Sequence, residues 1–168
     1  MEPWSLYTYG ASNQNEIGLG LVLKSPHGDI MVYSICCEFK ATNNESEYEA
    51  LIIGLTTAID LKITHISVYC DSLLIVNHVK GTYESKDEKM DEYLEIVKQL
   101  QGRFDDFTIH QVPRELNSQA NALAALGAVF SHRNLSSIPV IHILNSARIR
   151  WKTEQKALEV GNVDTSED

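Results

Sequence analysis

Two apolar runs, Gly18-Leu19-Gly20-Leu21-Val22-Leu23 and the stretch 30–39, flank the turn Pro26-His27-Gly28, and directly after them the apolar spacing changes. The two runs read as the arms of a hairpin, since β-favouring residues on either side of a Pro/Gly turn are how antiparallel strands announce themselves. From Tyr48 onward, Leu51, Ile52, Leu55 and Ile59 recur at helical spacing and give one apolar face. A hairpin that hands over to a one-faced helix has to lay that helix on its sheet, so the chain is confined to folds that layer helices on a sheet.

The rest of the chain extends this pattern. Residues 4–9 form an aromatic, strand-like run ahead of the hairpin, and Ile66, Val68 and Cys70 alternate along a half-buried strand at 65–70. A short apolar helix at 73–79 stops at Gly81. An amphipathic helix at 87–101 turns Met90, Tyr93, Leu94, Val97 and Leu100 inward, and a strand follows at 107–112. Past a loop at Pro113, Asn117 or Ser118 can cap an Ala-rich helix that runs to Phe130. The order β-β-β-α-β-α-α-β-α predicts an α/β fold with a mixed five-stranded sheet, its first three strands antiparallel, and helices on both faces. The expected domain is 1–133; residues 134–168, with one short apolar run at 138–144, are expected to form a connector-like segment and an acidic tail outside the core.

The charge balance limits what such a domain can grip. The formal net charge is −9, with 14 Lys+Arg against 23 Asp+Glu. Phosphate binding draws its affinity from local Lys and Arg, so this balance argues against tight, non-specific nucleic-acid binding. The helix at 87–101 opens Asp87-Glu88-Lys89-Met90-Asp91-Glu92, which would repel a phosphate backbone. Three cysteines suggest no disulfide framework and predict a reduced setting, cytoplasm or nucleus. No apolar run has the length of a membrane span, and no secretory signal follows Met1. Asn44-Glu45-Ser46 and Asn134-Leu135-Ser136 are read as chance matches to the glycosylation pattern. The six histidines lack metal-ligand spacing and are expected to be structural or on the surface.

Three segments carry a likeness. They are Thr42-Asn43-Asn44-Glu45-Ser46-Glu47-Tyr48-Glu49-Ala50-Leu51, then Cys70-Asp71-Ser72-Leu73-Leu74-Ile75-Val76-Asn77 followed by Lys80-Gly81-Thr82-Tyr83-Glu84-Ser85-Lys86-Asp87, then Val112-Pro113-Arg114-Glu115-Leu116-Asn117-Ser118-Gln119-Ala120-Asn121-Ala122-Leu123-Ala124. In this order and spacing they resemble the ribonuclease H domain of plant gypsy-type retrotransposon polyproteins, over roughly residues 4–145. Ile138-Pro139-Val140-Ile141 is similar to the connector that follows this domain in those polyproteins.

The resemblance implies a ribonuclease H-like fold and a nuclease that cuts the RNA of RNA/DNA hybrids. Four carboxylates would hold two Mg²⁺ or Mn²⁺ ions, hard cations that prefer oxygen ligands. Carried onto this chain, the four positions are Tyr9, Glu47, Asp71 and Asn121. Two of them bear no charge. The resemblance gives the first position the bridging role, which a neutral phenol with a pKa of about 10 does not fill. Glu47 and Asp71 alone leave about half the charge of two divalent ions uncompensated, so one weakly held ion is the most expected. The resemblance also assigns substrate contacts to Asn13, Thr42, Asn43 and Asn44, while Leu73 stands where a groove-reading glutamine is usual. Glu45 and Glu49 are offset from the face of Glu47, and Glu115 lies in a loop.

Plainer roles compete for the same residues. Asn44 can cap the first helix with Glu47 completing a capping box, and Asp71 can cap the next one. Three functions remain open at this point. The first is a catalytically impaired, retrotransposon-derived pseudoenzyme with weak hybrid or other nucleic-acid binding. The second is an active metal-dependent nuclease with an atypical site, and the third is a protein-interaction module.

Overall fold

The structure, a computed structural model, describes residues 2–12, 16–113, 140–143 and 145–165. Its strands are β1 (Trp4–Ser12), β2 (Ile17–Lys24), β3 (Ile30–Cys37), β4 (His65–Cys70), β5 (Asp106–Gln111) and β6 (Val140–Ile143). Its helices are α1 (Asn43–Asp60), α2 (Leu73–Lys80), α3 (Glu88–Gln101) and α4 (Ala147–Thr165). They form one mixed sheet in the order β5-β4-β1-β2-β3-β6. β1, β2 and β3 pair antiparallel as expected, whereas β4 joins β1, and β5 joins β4, in parallel.

Alternation along the strands decides which side chains form the core. Leu6, Leu23, Ile66, Val68 and Ile109 face the helices and pack with Leu51, Leu55, Ile75, Val97 and Ala147. Each Leu, Ile or Val among them contributes about 1.5–3 kcal/mol when fully buried. All four described helices bury residues in this cluster, so they cover one side of the sheet. The Ala-rich helix expected over 118–130 lies outside the described residues. Within the core, the rings of Tyr48 and Tyr93 stack 5.5 Å apart, and the Tyr48 hydroxyl pairs with Nδ1 of the buried His78. α2 stops where Gly81 takes φ +85°, a left-handed conformation that costs glycine nothing.

The sheet has six strands where five are expected. The extra strand, β6, pairs parallel with β3 from Ser34↔Val140 to Cys37↔Ile143. The helix after it also corrects the expectation of a segment wholly outside the core, because Ala147 is buried in the main cluster. The physical cause is Glu49. Its carboxylate accepts the backbone N–H of Ala147 at 2.6 and 3.0 Å, and a carboxylate is well placed at the N-terminus of a helix. The Tyr93 hydroxyl donates to the same carboxylate at 3.4 Å, and Arg150 lies 3.9 Å away. Arg148 adds an ion pair to Glu92 on α3. Among the described residues no helix is long and apolar enough to cross a membrane.

Candidate functional site

The parallel strands β1, β4 and β5 end together, and a cleft of about 670 Å³ opens there. This is the carboxyl end of the parallel part of the sheet, where β1 has a parallel neighbour on one side and an antiparallel one on the other. Ligands of open α/β sheets bind at such switch points. Tyr9, Gly10, Ala11, Ser12, Asn43, Glu47, Asp71, Ser72 and Gln111 line the cleft.

Close approach of β1 and α1 makes the cleft possible. A side chain at position 10 would sit 2.7 Å from the backbone of Ser46, so only glycine lets the strand meet the helix there. The rim is tied by Ser12, whose hydroxyl donates to Oδ1 of Asn43 at 2.5 Å. On the other side, Gln111 Nε2 donates to the carbonyl of Asp71 at 3.4 Å, and the Val112 N–H to that of Cys70 at 2.9 Å.

The helix caps are where the plainer roles fail. α1 is capped by Thr42, whose hydroxyl accepts the Glu45 N–H at 3.1 Å while Glu45 accepts the Thr42 N–H at 3.2 Å. The capping box therefore starts two residues before the Asn44–Glu47 pair that the sequence suggests. Ser72 caps α2 by accepting the Ile75 N–H, so Asp71 does not perform that role either. Neither Glu47 nor Asp71 is used as a cap, and both line the cleft. Their charges reach the buried Cys70 thiol, which is pushed up to about 12, first by burial and then by Glu47 and Asp71.

The cleft thus brings together four residues singled out in the sequence: Tyr9, Asn43, Glu47 and Asp71. Thr42 serves as a cap, and neither it nor Asn44 lines the cleft. Asn13, Asn121 and Glu115 lie outside the described residues. Glu45 and Glu49, the neighbouring carboxylates, are used in the capping box and under α4. Sequence reasoning missed Gln111, which faces the cleft only because β5 pairs with β4 in the register Cys70↔Gln111. No local motif marks it.

The donor set can be tested against divalent ions. Among the described residues no three His, Cys, Asp or Glu side chains are grouped to hold a metal. The cleft offers two carboxylates, with hydroxyls and amides as the other side-chain donors. Two carboxylates cannot balance two hard divalent cations at close quarters. The described residues do not fit the pair of ions that the resemblance implies.

Sheet order, helix packing and cleft position together define a ribonuclease H-like domain. The sequence profile described as "Reverse transcriptase-like" matches residues 8–127, and the chain belongs to that family. It is similar to ribonuclease HI of Halobacterium salinarum, 35% identical over 120 residues covering 70% of this chain and 60% of that protein. A bifunctional protein of Mycobacterium tuberculosis is 31% identical over 67% of this chain and 31% of its own length. This chain thus spans less than two thirds of the length of either relative. In structure, it superposes on ribonuclease H1 of H. salinarum with a TM-score of 0.71 at 33% identity, covering 74% of this chain and 96% of that one. LC11-RNase H1, solved in complex with an RNA/DNA hybrid, gives a TM-score of 0.67 at 28% identity, covering 73% and 94%. The prototype foamy virus protease–reverse transcriptase shares the fold, with a TM-score of 0.59 at 19% identity over 74% of this chain and 20% of that one.

Proposed function

We propose that this chain is a retrotransposon-derived ribonuclease H-like domain of the plant gypsy type that has lost hydrolysis and keeps weak binding of RNA/DNA hybrids. One observation carries the reading: the strand-end position that the resemblance gives to a bridging carboxylate is Tyr9, and its residue lines the cleft beside Glu47 and Asp71. The second uncharged position, Asn121, is read from the sequence alone. Mg²⁺ or Mn²⁺ is held weakly or not at all. A hybrid is the natural probe, since the similar LC11-RNase H1 was solved with one. The reading includes an intracellular setting, cytoplasm or nucleus, which the three buried thiols support.

The test is incubation of the wild-type chain with a labelled RNA/DNA hybrid and Mg²⁺ or Mn²⁺. No metal-dependent cleavage is expected. Cleavage that disappears in Glu47→Gln or Asp71→Asn would replace this reading with an active nuclease of atypical site.

A further inference from the structure

The face that α3 and α4 turn to solvent carries both signs of charge, each on its own helix. On α3, Glu88, Asp91, Glu92 and Glu95 recur three or four residues apart and share one stripe. On α4, Arg148, Lys152 and Lys156 recur every four residues and share another. The stripes have similar lengths, about 10 and 12 Å at a rise of about 1.5 Å per residue. They also lie level with each other, because the Glu92 carboxylate takes both Arg148 and Lys152, the latter at 3.7 Å. Between them runs a groove of about 460 Å³, lined on its apolar side by Ile96 and Trp151.

One shared carboxylate does not use up either stripe. Among the described residues Glu88 and Glu95 meet no cation, and Lys156 meets no carboxylate. Asp91 has only the ring of the buried His78, at 3.6 Å. Lys152 is 67% exposed, and so exposed a pair with Glu92 contributes little and can exchange partners. Beside Lys152 and Lys156 stands Ile149, an apolar side chain that is 53% exposed.

Four carboxylates against three cations leave this face nearly neutral in a chain of net charge −9. A polyanion laid on it would meet the carboxylates of α3, and a polycation the cations of α4. A second copy, turned over, meets neither penalty. A two-fold axis lying in the interface and running between the helices sets α3 of each copy over α4 of the other. Each stripe then faces the opposite charge, as a self-complementary contact requires.

We propose that the α3–α4 face is a self-association surface, on which two copies of this chain pair with their acidic and basic stripes crossed. Glu88 and Glu95 of each copy face Lys152 and Lys156 of the other, and both Ile149 side chains are covered. A contact of two helix faces is small, so the dimer is weak, with a Kd on the order of 10–100 µM. None of these residues lines the cleft, so pairing stands apart from the hybrid-binding reading.

The test is sedimentation equilibrium of the full chain, up to concentrations about tenfold above that Kd. The wild type is expected to approach the mass of a dimer, and a monomer throughout would overturn the proposal. Lys152→Glu combined with Lys156→Glu should weaken self-association about tenfold or more, because like charges then face each other. Glu88→Lys combined with Glu95→Lys should do the same from the other helix. An equimolar mixture of the two variants should pair again, since their reversed stripes complement each other on both sides of the axis. A mixture that stays monomeric would overturn the proposal, as would undiminished self-association of each variant alone. Thermal midpoints check that the variants fold. Where charge reversal lowers the midpoint, Lys152→Gln combined with Lys156→Gln is read instead. That milder variant should weaken the dimer about threefold or more, and an unchanged Kd would overturn the assignment.

Discussion

Glu47 and Glu49 stand two residues apart on α1, and they have opposite surroundings. Glu47 lines the cleft with Asp71, whereas Glu49 is fully buried and receives the N-terminus of α4. Two residues rotate a helical position by roughly 200°, enough to move a carboxylate from one side of the helix to the other. The same residue type is thus a candidate site group at one position and an anchor at the next. Glu49 shows what a structural carboxylate looks like here: a backbone N–H, a hydroxyl and a guanidinium converge on it. The cap geometry denies Glu47 the structural task nearest to it.

The comparison breaks most visibly at Glu49. Glu49→Ala leaves the Ala147 N–H and the Tyr93 hydroxyl without their acceptor, and about 3–4 kcal/mol of stability is expected to be lost in urea denaturation. The pH dependence comes next. Burial pushes the Glu49 carboxyl up to about 7 against the opposing pull of the Ala147 N–H and Arg150. A carboxyl raised from 4.5 in this way favours the folded state below its unfolded value and loses that contribution as pH rises through about 7. The unfolding free energy from urea denaturation should therefore drop between pH 5 and 8, by on the order of 2–3 kcal/mol, and Glu49→Gln should flatten that drop. A wild-type profile as flat as that of Glu49→Gln would break the assignment.

Smaller effects sharpen the contrast. Thr42→Ala removes the cap that α1 uses and should cost about 1 kcal/mol, while Asn44→Ala should cost a few tenths. A larger loss at Asn44 would mean that the helix starts two residues later. Glu47→Gln keeps the shape of the side chain and is expected to change stability by at most about 0.5 kcal/mol. A loss of the size seen at Glu49 would make Glu47 a structural group as well.

The fold was legible because its periodicities are clean. The alternation of Ile66, Val68 and Cys70 and the helical spacing from Tyr48 to Ile59 each match an element found in the structure. The caps were less legible for a specific reason. Thr42 with Glu45, and Asn44 with Glu47, both fit a polar residue followed three positions later by glutamate, and only backbone geometry chooses between them. Asp71 and Ser72 pose the same ambiguity one residue apart. β6 spans only four residues of the short apolar run 138–144, too few for alternation to signal a strand, and its pairing depends on the distant edge of β3. The burial of Glu49 depends on α4, which no local pattern around Glu49 reveals. The meeting of Tyr9, Glu47 and Asp71 was legible only through resemblance, since the sheet register that joins them is not local.

Cleavage of a labelled RNA/DNA hybrid by Tyr9→Asp combined with Asn121→Asp, set beside the wild type in Mg²⁺ or Mn²⁺, tests the central claim most directly. If the scaffold persists and only charge was lost, the double variant cuts the hybrid in a metal-dependent manner and the wild type does not. Wild-type cleavage at a rate comparable to that of the double variant would contradict the claim.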